Sequence, residues 1–301
     1  MRFGLFGTGP WAHLAHAPAL TDHQDVEFVG VWGRNPDKAA ALASEHGAKA
    51  YAKIEDLIGD VDAVAIALPP DVQAPIALQA ARAGRHLLLD KPVAFEPAVA
   101  VEIAAAVEER GLASVVFFTR RLVPVTGEFL AETVELGGWR EARVEHLGSI
   151  FTTGSPFGES PWRKEKGGLW DVGPHALALV LPVLGPVTEV TAMAGPHDMT
   201  HALLRHANGA ITTLTLSVDG APGSVRQEAI FFGESEPRRA PDAQWRADQA
   251  FGRAIDQLIA TAGGGPKSDV DVRFGAEVTA VLAACQEAIT TGRVVAIGSD
   301  R

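Results

Sequence analysis

Directly after an apolar run at Arg2–Phe6 the chain reads Gly7-Thr8-Gly9-Pro10-Trp11-Ala12 and then becomes helical in pattern. Few folds place two glycines and a small residue at that spacing between a strand and a helix. Gly7 suits a tight turn, Gly9 lets backbone approach a pyrophosphate, and Ala12 is small enough for the helix to lie on a sheet. Free N–H groups at the helix start favour the phosphates. The plainer reading is a glycine turn with no ligand.

The next segments repeat the alternation. Strands are predicted at Val26–Trp32, Val61–Leu68, His86–Leu89 and Ala113–Phe118, and helices at Ala12–Thr21, Pro36–His46, Ala74–Ala83 and Pro97–Arg110. Near-continuous apolar strands between helices mean a parallel sheet covered on both faces, so residues 1–118 read as a doubly wound α/β domain of Rossmann type. From residue 119 to 301 the pattern changes. A helix at Pro124–Leu136 leads into strands at Glu141–Ile150, Glu189–Ala194, Thr200–His206, Ala210–Ser217 and Arg226–Gly233, with Asn208-Gly209 as a hairpin signal. Helices are predicted at Pro174–Leu184, Gln244–Ala262 and Phe274–Thr291, and a last strand at Arg293–Ile297. This half reads as an α+β domain on an open, mainly antiparallel sheet.

Composition narrows the function. With 26 Lys and Arg against 37 Asp and Glu the formal charge is −11, and no basic patch offsets it, which argues against a nucleic-acid partner. The single cysteine, Cys285, permits no internal disulfide, which suits a cytoplasmic protein. The longest uncharged run, Val172–Thr188, contains three prolines and a histidine, so no membrane span is expected. A faint resemblance of the N-terminus to a secretory signal is set aside, because Gly4, Gly7, Gly9 and Pro10 interrupt it. Histidines are not grouped at metal-ligand spacing, and no metal is expected. The expected partner is a small-molecule substrate.

Three further groups of residues carry candidate chemistry. The second strand ends in Val31-Trp32-Gly33-Arg34-Asn35, without the acid that would bond a ribose 2′-OH. Gly33 leaves room for a 2′-phosphate and Arg34 can pair with it, so NADP(H) is the preferred cofactor, with NAD(H) possible; otherwise Arg34 is a solvated turn residue. Asp90-Lys91-Pro92 follows the strand at His86–Leu89, where Lys91 would face the ligand crevice unless it is an ordinary surface charge. Further on come Trp162-Arg163, Gly167-Gly168 and Asp171-Val172-Gly173-Pro174-His175. His175 falls in the first turn of a helix, whose dipole would favour the neutral, proton-accepting imidazole. The alternative makes Asp171 a helix cap with His175 packed beside it.

Taken together, the glycine loop, Leu68-Pro69-Pro70, Asp90-Lys91-Pro92 and Gly167-Gly168 with Asp171 and His175 resemble the Gfo/Idh/MocA oxidoreductases along essentially the whole chain. The resemblance implies an NAD(P)-dependent dehydrogenase or reductase that moves a hydride to or from a secondary alcohol or carbonyl of a sugar, cyclitol or related metabolite. It implies Lys91 as the catalytic lysine, His175 as the proton donor or acceptor, and Asp171 as a residue holding substrate hydroxyls. Thr8, Pro10, Trp11, Leu68, Pro69 and Asp90 join Gly7, Gly9, Gly33, Arg34, Asn35 and Lys91 at the cofactor, while Trp162 and Arg163 are candidate substrate contacts. A homodimer or homotetramer through the C-terminal sheet is also implied. Departures are Asp90 for the usual Glu, Gly33 for an acid, Gln73 for a frequent His, and Ala178 for a second Asp. Two alternatives stay open: a non-catalytic NAD(P)-binding regulator of the same fold, and a reductase of a less polar carbonyl or imine.

Overall fold

The first strand, β1 (Arg2–Phe6), is buried at every position but its first, as a central strand covered on both faces must be. The computed structural model describes residues 1–242 and 244–298, so the end of the 119–301 segment lies outside the described residues. The chain forms two units, Met1–Leu122 with Trp245–Glu277, and Val123–Gln244 with the residues from Val278 onward.

In the first unit β1 is joined by β2 (Glu27–Trp32), β3 (Lys49–Tyr51), β4 (Ala63–Ile66), β5 (His86–Leu89) and β6 (Ser114–Val116), all parallel, in the order β3-β2-β1-β4-β5-β6. Helices α1 (Ala17–Asp22), α2 (Pro36–Glu45), α3 (Ile54–Asp60), α4 (Pro70–Arg82) and α5 (Pro97–Glu109) connect them. Strand order reverses between β1 and β4, and the crevice beyond their C-terminal ends is where an open α/β sheet takes its ligand. Periodicity passes over β3 and α3, which are too short to show a period. The helix predicted from Ala12 is not uniform, since Ala12–His16 is a π-helical turn that runs into α1.

The second unit contains α6 (Pro124–Leu136), β7 (Trp139–Leu147), α7 (Pro161–Asp171), α8 (Gly173–Leu184), β8 (Val187–Ala194), β9 (Thr200–His206), β10 (Ile211–Ser217), β11 (Arg226–Gly233), β12 (Arg238–Arg239) and β13 (Val295–Ala296). Its sheet runs β12-β11-β7-β10-β9-β8-β13, and only the β7–β10 pair is parallel. Along β9, Thr200, Ala202, Leu204 and His206 are buried while His201, Leu203 and Arg205 are exposed. In β10 the buried set is Thr212, Leu214 and Leu216, so Ile211, Thr213 and Thr215 share the outer face. The pleat thus puts Ile211 on the face opposite Leu214 and Leu216. Helix α7 is not among the helices expected from the sequence.

Two more helices complete the chain, α9 (Ala247–Ala262) and α10 (Val272–Thr291). Helix α9 buries Ala250, Phe251, Ala254, Ile255 and Leu258 against α1, β5 and β6. This corrects the sequence division at residue 118, which assigned everything later to the second domain. An apolar stripe at helical spacing is visible in sequence, but the surface it covers is not. By length and composition α7 and α8 together, Pro161–Leu184, could cross a bilayer, yet 83% of the apolar window is buried, as in a core helix.

Candidate functional site

At the C-terminal end of β1 the Gly7 N–H donates to the Trp32 carbonyl at 2.8 Å, and the Ala67 N–H donates to the Phe6 carbonyl at 2.8 Å. Gly7 has φ +126°, and a Cβ there would stand 2.3 Å from the Ala67 carbonyl oxygen, so only glycine closes this turn. At Gly9 a Cβ would meet nothing within 4 Å. The backbone is therefore open where a pyrophosphate would approach the helix start, and these residues fit a dinucleotide. Leu68 and Pro69, half-buried, follow β4 on the same sheet edge.

At the end of β2, a Cβ on Gly33 would lie 2.7 Å from Thr8 Cγ2. Close contact with Thr8 is thus a further reason for a glycine at this position. Arg34 is exposed beside it, and the Asn35 side chain caps α2 by accepting the Lys38 N–H at 3.0 Å.

The π-helical turn holds a buried histidine. His16 Nδ1 lies 3.1 Å from the Trp11 carbonyl, so it donates, and its ring packs 4.0 Å from that of Phe251 and 5.9 Å from that of Phe117. Burial lowers its pKa to about 4. The unfolded chain therefore takes up this proton first, and the stability that neutral His16 maintains is lost as pH falls from about 6.5 toward 4. Between pH 7 and 5 the loss should be about 2 kcal/mol, read by urea unfolding; a His16→Phe protein should lose less over that range, and an equal loss would assign the effect elsewhere.

Lys91 stands just beyond β5 and is 7% exposed. Its turn is held by Gln73, which is fully buried. Gln73 Nε2 donates to the carbonyls of Asp90, Pro92 and Val93 at 2.8, 3.1 and 3.2 Å, while Gln73 Oε1 accepts the Asp90 N–H at 2.8 Å. The Asp90 carboxylate accepts the Lys91 N–H at 2.8 Å, and the Lys91–Pro92 peptide is cis. On another side Gly275 of α10 approaches so closely that a Cβ would be 2.5 Å from Val93 Cγ2.

In the second unit Gly167 interrupts α7 with φ 62° and ψ −161°. A Cβ on Gly168 would lie 2.6 Å from Ser217 Cα. One glycine turns the chain and the other permits contact with β10. Asp171 does not cap α8; its Oδ2 accepts the Arg163 Nε–H at 2.9 Å, with the two side chains 12% and 9% exposed. Arg163 also stacks on Trp162 and Phe157, its guanidinium carbon 4.4 and 5.1 Å from the ring centroids. His175 falls in the first turn of α8, as expected. Val172, itself helical, links α7 to α8, and its carbonyl accepts the N–H groups of His175 and Ala176 at 3.1 and 3.2 Å. The His175 ring lies 5.8 Å from that of His146 on β7.

Residues 1–118 match the family described as oxidoreductase, NAD-binding Rossmann fold, GFO_IDH_MocA, and residues 132–237 match the GFO/IDH/MocA C-terminal domain. The chain belongs to the Gfo/Idh/MocA family. It is thus an oxidoreductase with a nicotinamide-dinucleotide fold, similar to a dTDP-3,4-didehydro-2,6-dideoxy-alpha-D-glucose 3-reductase of Streptomyces antibioticus, 28% identical across 83% of this chain and 76% of that one. The inositol 2-dehydrogenase of Rhizobium meliloti is 24% identical across 99% of both chains. The structure of the WlbA dehydrogenase from Bordetella pertussis, in complex with NADH and UDP-GlcNAcA, superposes with a TM-score of 0.87 at 22% identity, covering 100% of this chain and 98% of that one; that likeness concerns the fold.

For this Gfo/Idh/MocA member, two side chains at the site carry little signal in the sequence: Gln73 is only a departure from histidine, and His146 is one polar residue in an alternating strand. Ala178, where a second Asp had been looked for, is 2% exposed on α8. Cys285 is buried and its thiol is pushed up to about 12, so it stays protonated at neutral pH. Among the described residues no group of three or more His, Cys, Asp or Glu could hold a metal ion.

Proposed function

We propose that the protein transfers a hydride between NADP(H) and a secondary alcohol or carbonyl carbon of a sugar, cyclitol or related metabolite. The observation that carries this reading is the pairing, on one sheet edge, of the open Gly7–Gly9 turn with a turn that holds Lys91. When bound, the nicotinamide supplies the redox chemistry. The chain's own residues bind, orient and move the proton: Lys91 Nζ and the His175 imidazole serve the reacting hydroxyl as acid–base groups, and Arg163 orients the Asp171 carboxylate. Relatives named for reduction or oxidation of dTDP-sugars and inositol support the substrate class. The NADP preference rests on the absence of an acid at the β2 end and on exposed Arg34.

A panel of free and nucleotide-linked sugars, cyclitols and aldehydes, followed by nicotinamide absorbance with NADPH and NADH in parallel, tests both parts. Turnover of at least one polyol or sugar is expected, with NADPH bound more tightly and Arg34→Ala narrowing the gap. Silence across the panel would overturn the substrate class, and tighter NADH binding would overturn the cofactor preference.

The outer face of the C-terminal sheet exposes Met193 and Leu203 and also carries Ile211, and on it we place a homodimer or homotetramer contact. Sedimentation at micromolar concentration should show an oligomer that Leu203→Glu dissociates; a monomeric wild type would refute this.

A further inference from the structure

The Gly195–Met199 turn between β8 and β9 places both His197 and Asp198 in the left-handed region, with φ 54° and 53°. Two consecutive non-glycine residues hold such a conformation only where surrounding contacts enforce it. Those contacts converge on the Asp198 carboxylate. Its Oδ2 accepts the Gly168 N–H at 2.6 Å and the Val218 N–H at 3.1 Å, and its Oδ1 accepts the Asp219 N–H at 3.2 Å and the Ser217 hydroxyl. One carboxylate thus ties the kink of α7 to the end of β10. From there hydrogen bonds continue along the chain: the Gly168 carbonyl accepts the Val172 N–H at 2.9 Å, and the Val172 carbonyl accepts the His175 N–H at 3.1 Å.

We propose that Asp198 is a positioning residue, fixing the Gly167–Gly168 kink and through it the direction in which Asp171 and His175 are presented. The proposal rests on the reading of His175 given above. A carboxylate suits this place because it is acceptor-only, and every group facing it is a donor. An asparagine of the same shape would turn an amide N–H toward one of those donors.

The test compares wild type, Asp198→Asn and the milder Ser217→Ala as full-length folded chains. Histidine-selective NMR, with the His175 ring signal assigned through His175→Gln, and amide exchange over residues 168–176 are read alongside kinetics on the best substrate of the panel. In Asp198→Asn the His175 ring signal should move and exchange over 168–176 should speed about tenfold or more. The kcat should fall about tenfold or more, with cofactor KM within about twofold. Ser217→Ala should shift each in the same direction by less. An unmoved His175 signal with unchanged exchange overturns the proposal, as does exchange that rises equally along the whole sheet, the mark of a purely structural residue. If His175→Ala proves fully active while Asp198→Asn still displaces the His175 signal, the catalytic reading of His175 fails and the positioning by Asp198 stands.

Discussion

Lys91→Ala and His175→Ala should each lower turnover by a factor on the order of 10² or more, as loss of a positioned acid–base group does, while NADPH affinity stays within about twofold. The two residues sit in different units of the fold, and each follows a turn fixed by specific hydrogen bonds. The Lys91 turn is gripped by four hydrogen bonds from one buried glutamine. His175 follows a kink that needs two glycines and a carboxylate clamp. If these were ornaments of packing, the alanine variants would lose stability and keep most of their rate. Steady-state kinetics and cofactor titration on folded variants separate the cases; near-normal turnover in both would remove these residues from the reaction and favour the reading of a cofactor-binding regulator.

Arg163→Ala should destabilise the fold by about 3–5 kcal/mol, the range for removing one partner of a buried ion pair. The Arg163 and Asp171 side chains are 12% and 9% exposed, so water cannot replace the guanidinium, and stacking on Trp162 and Phe157 is lost with it. Arg163→Lys should recover part of the loss, because an ammonium keeps the charge without the planar fork. Urea unfolding at neutral pH measures both. A loss below about 1 kcal/mol, as for a solvent-exposed pair, would show that Asp171 is held by other contacts.

The same pair shows the limit of reading a site from sequence. Trp162, Arg163 and Asp171 were grouped by their spacing and by family resemblance, and a direct ion pair between two of them is a tertiary fact. A substitution of Arg163 therefore acts on Asp171 as well as on any substrate contact of its own. Gly33 gives a second case. A Cβ on Gly33 would meet Thr8, 25 positions earlier in the chain, which is not where a local reading looks for a neighbour.

What the chain determines by itself is local or periodic. Strand–helix alternation, the glycine turn after β1 and the inward–outward alternation of β9 follow from backbone sterics and from burial of apolar faces, both of which leave a period in the sequence. The order β3-β2-β1-β4-β5-β6, with its reversal beside β1, follows the packing rules for such alternation. Tertiary structure alone decided that α9 returns to the first unit, that Gln73 clasps the Lys91 turn, and that Asp198 meets Gly168 across 30 positions. Each depends on a pairing between distant residues. An apolar stripe, an amide or a carboxylate states only what kind of partner it needs, and the folded chain chooses which one it has.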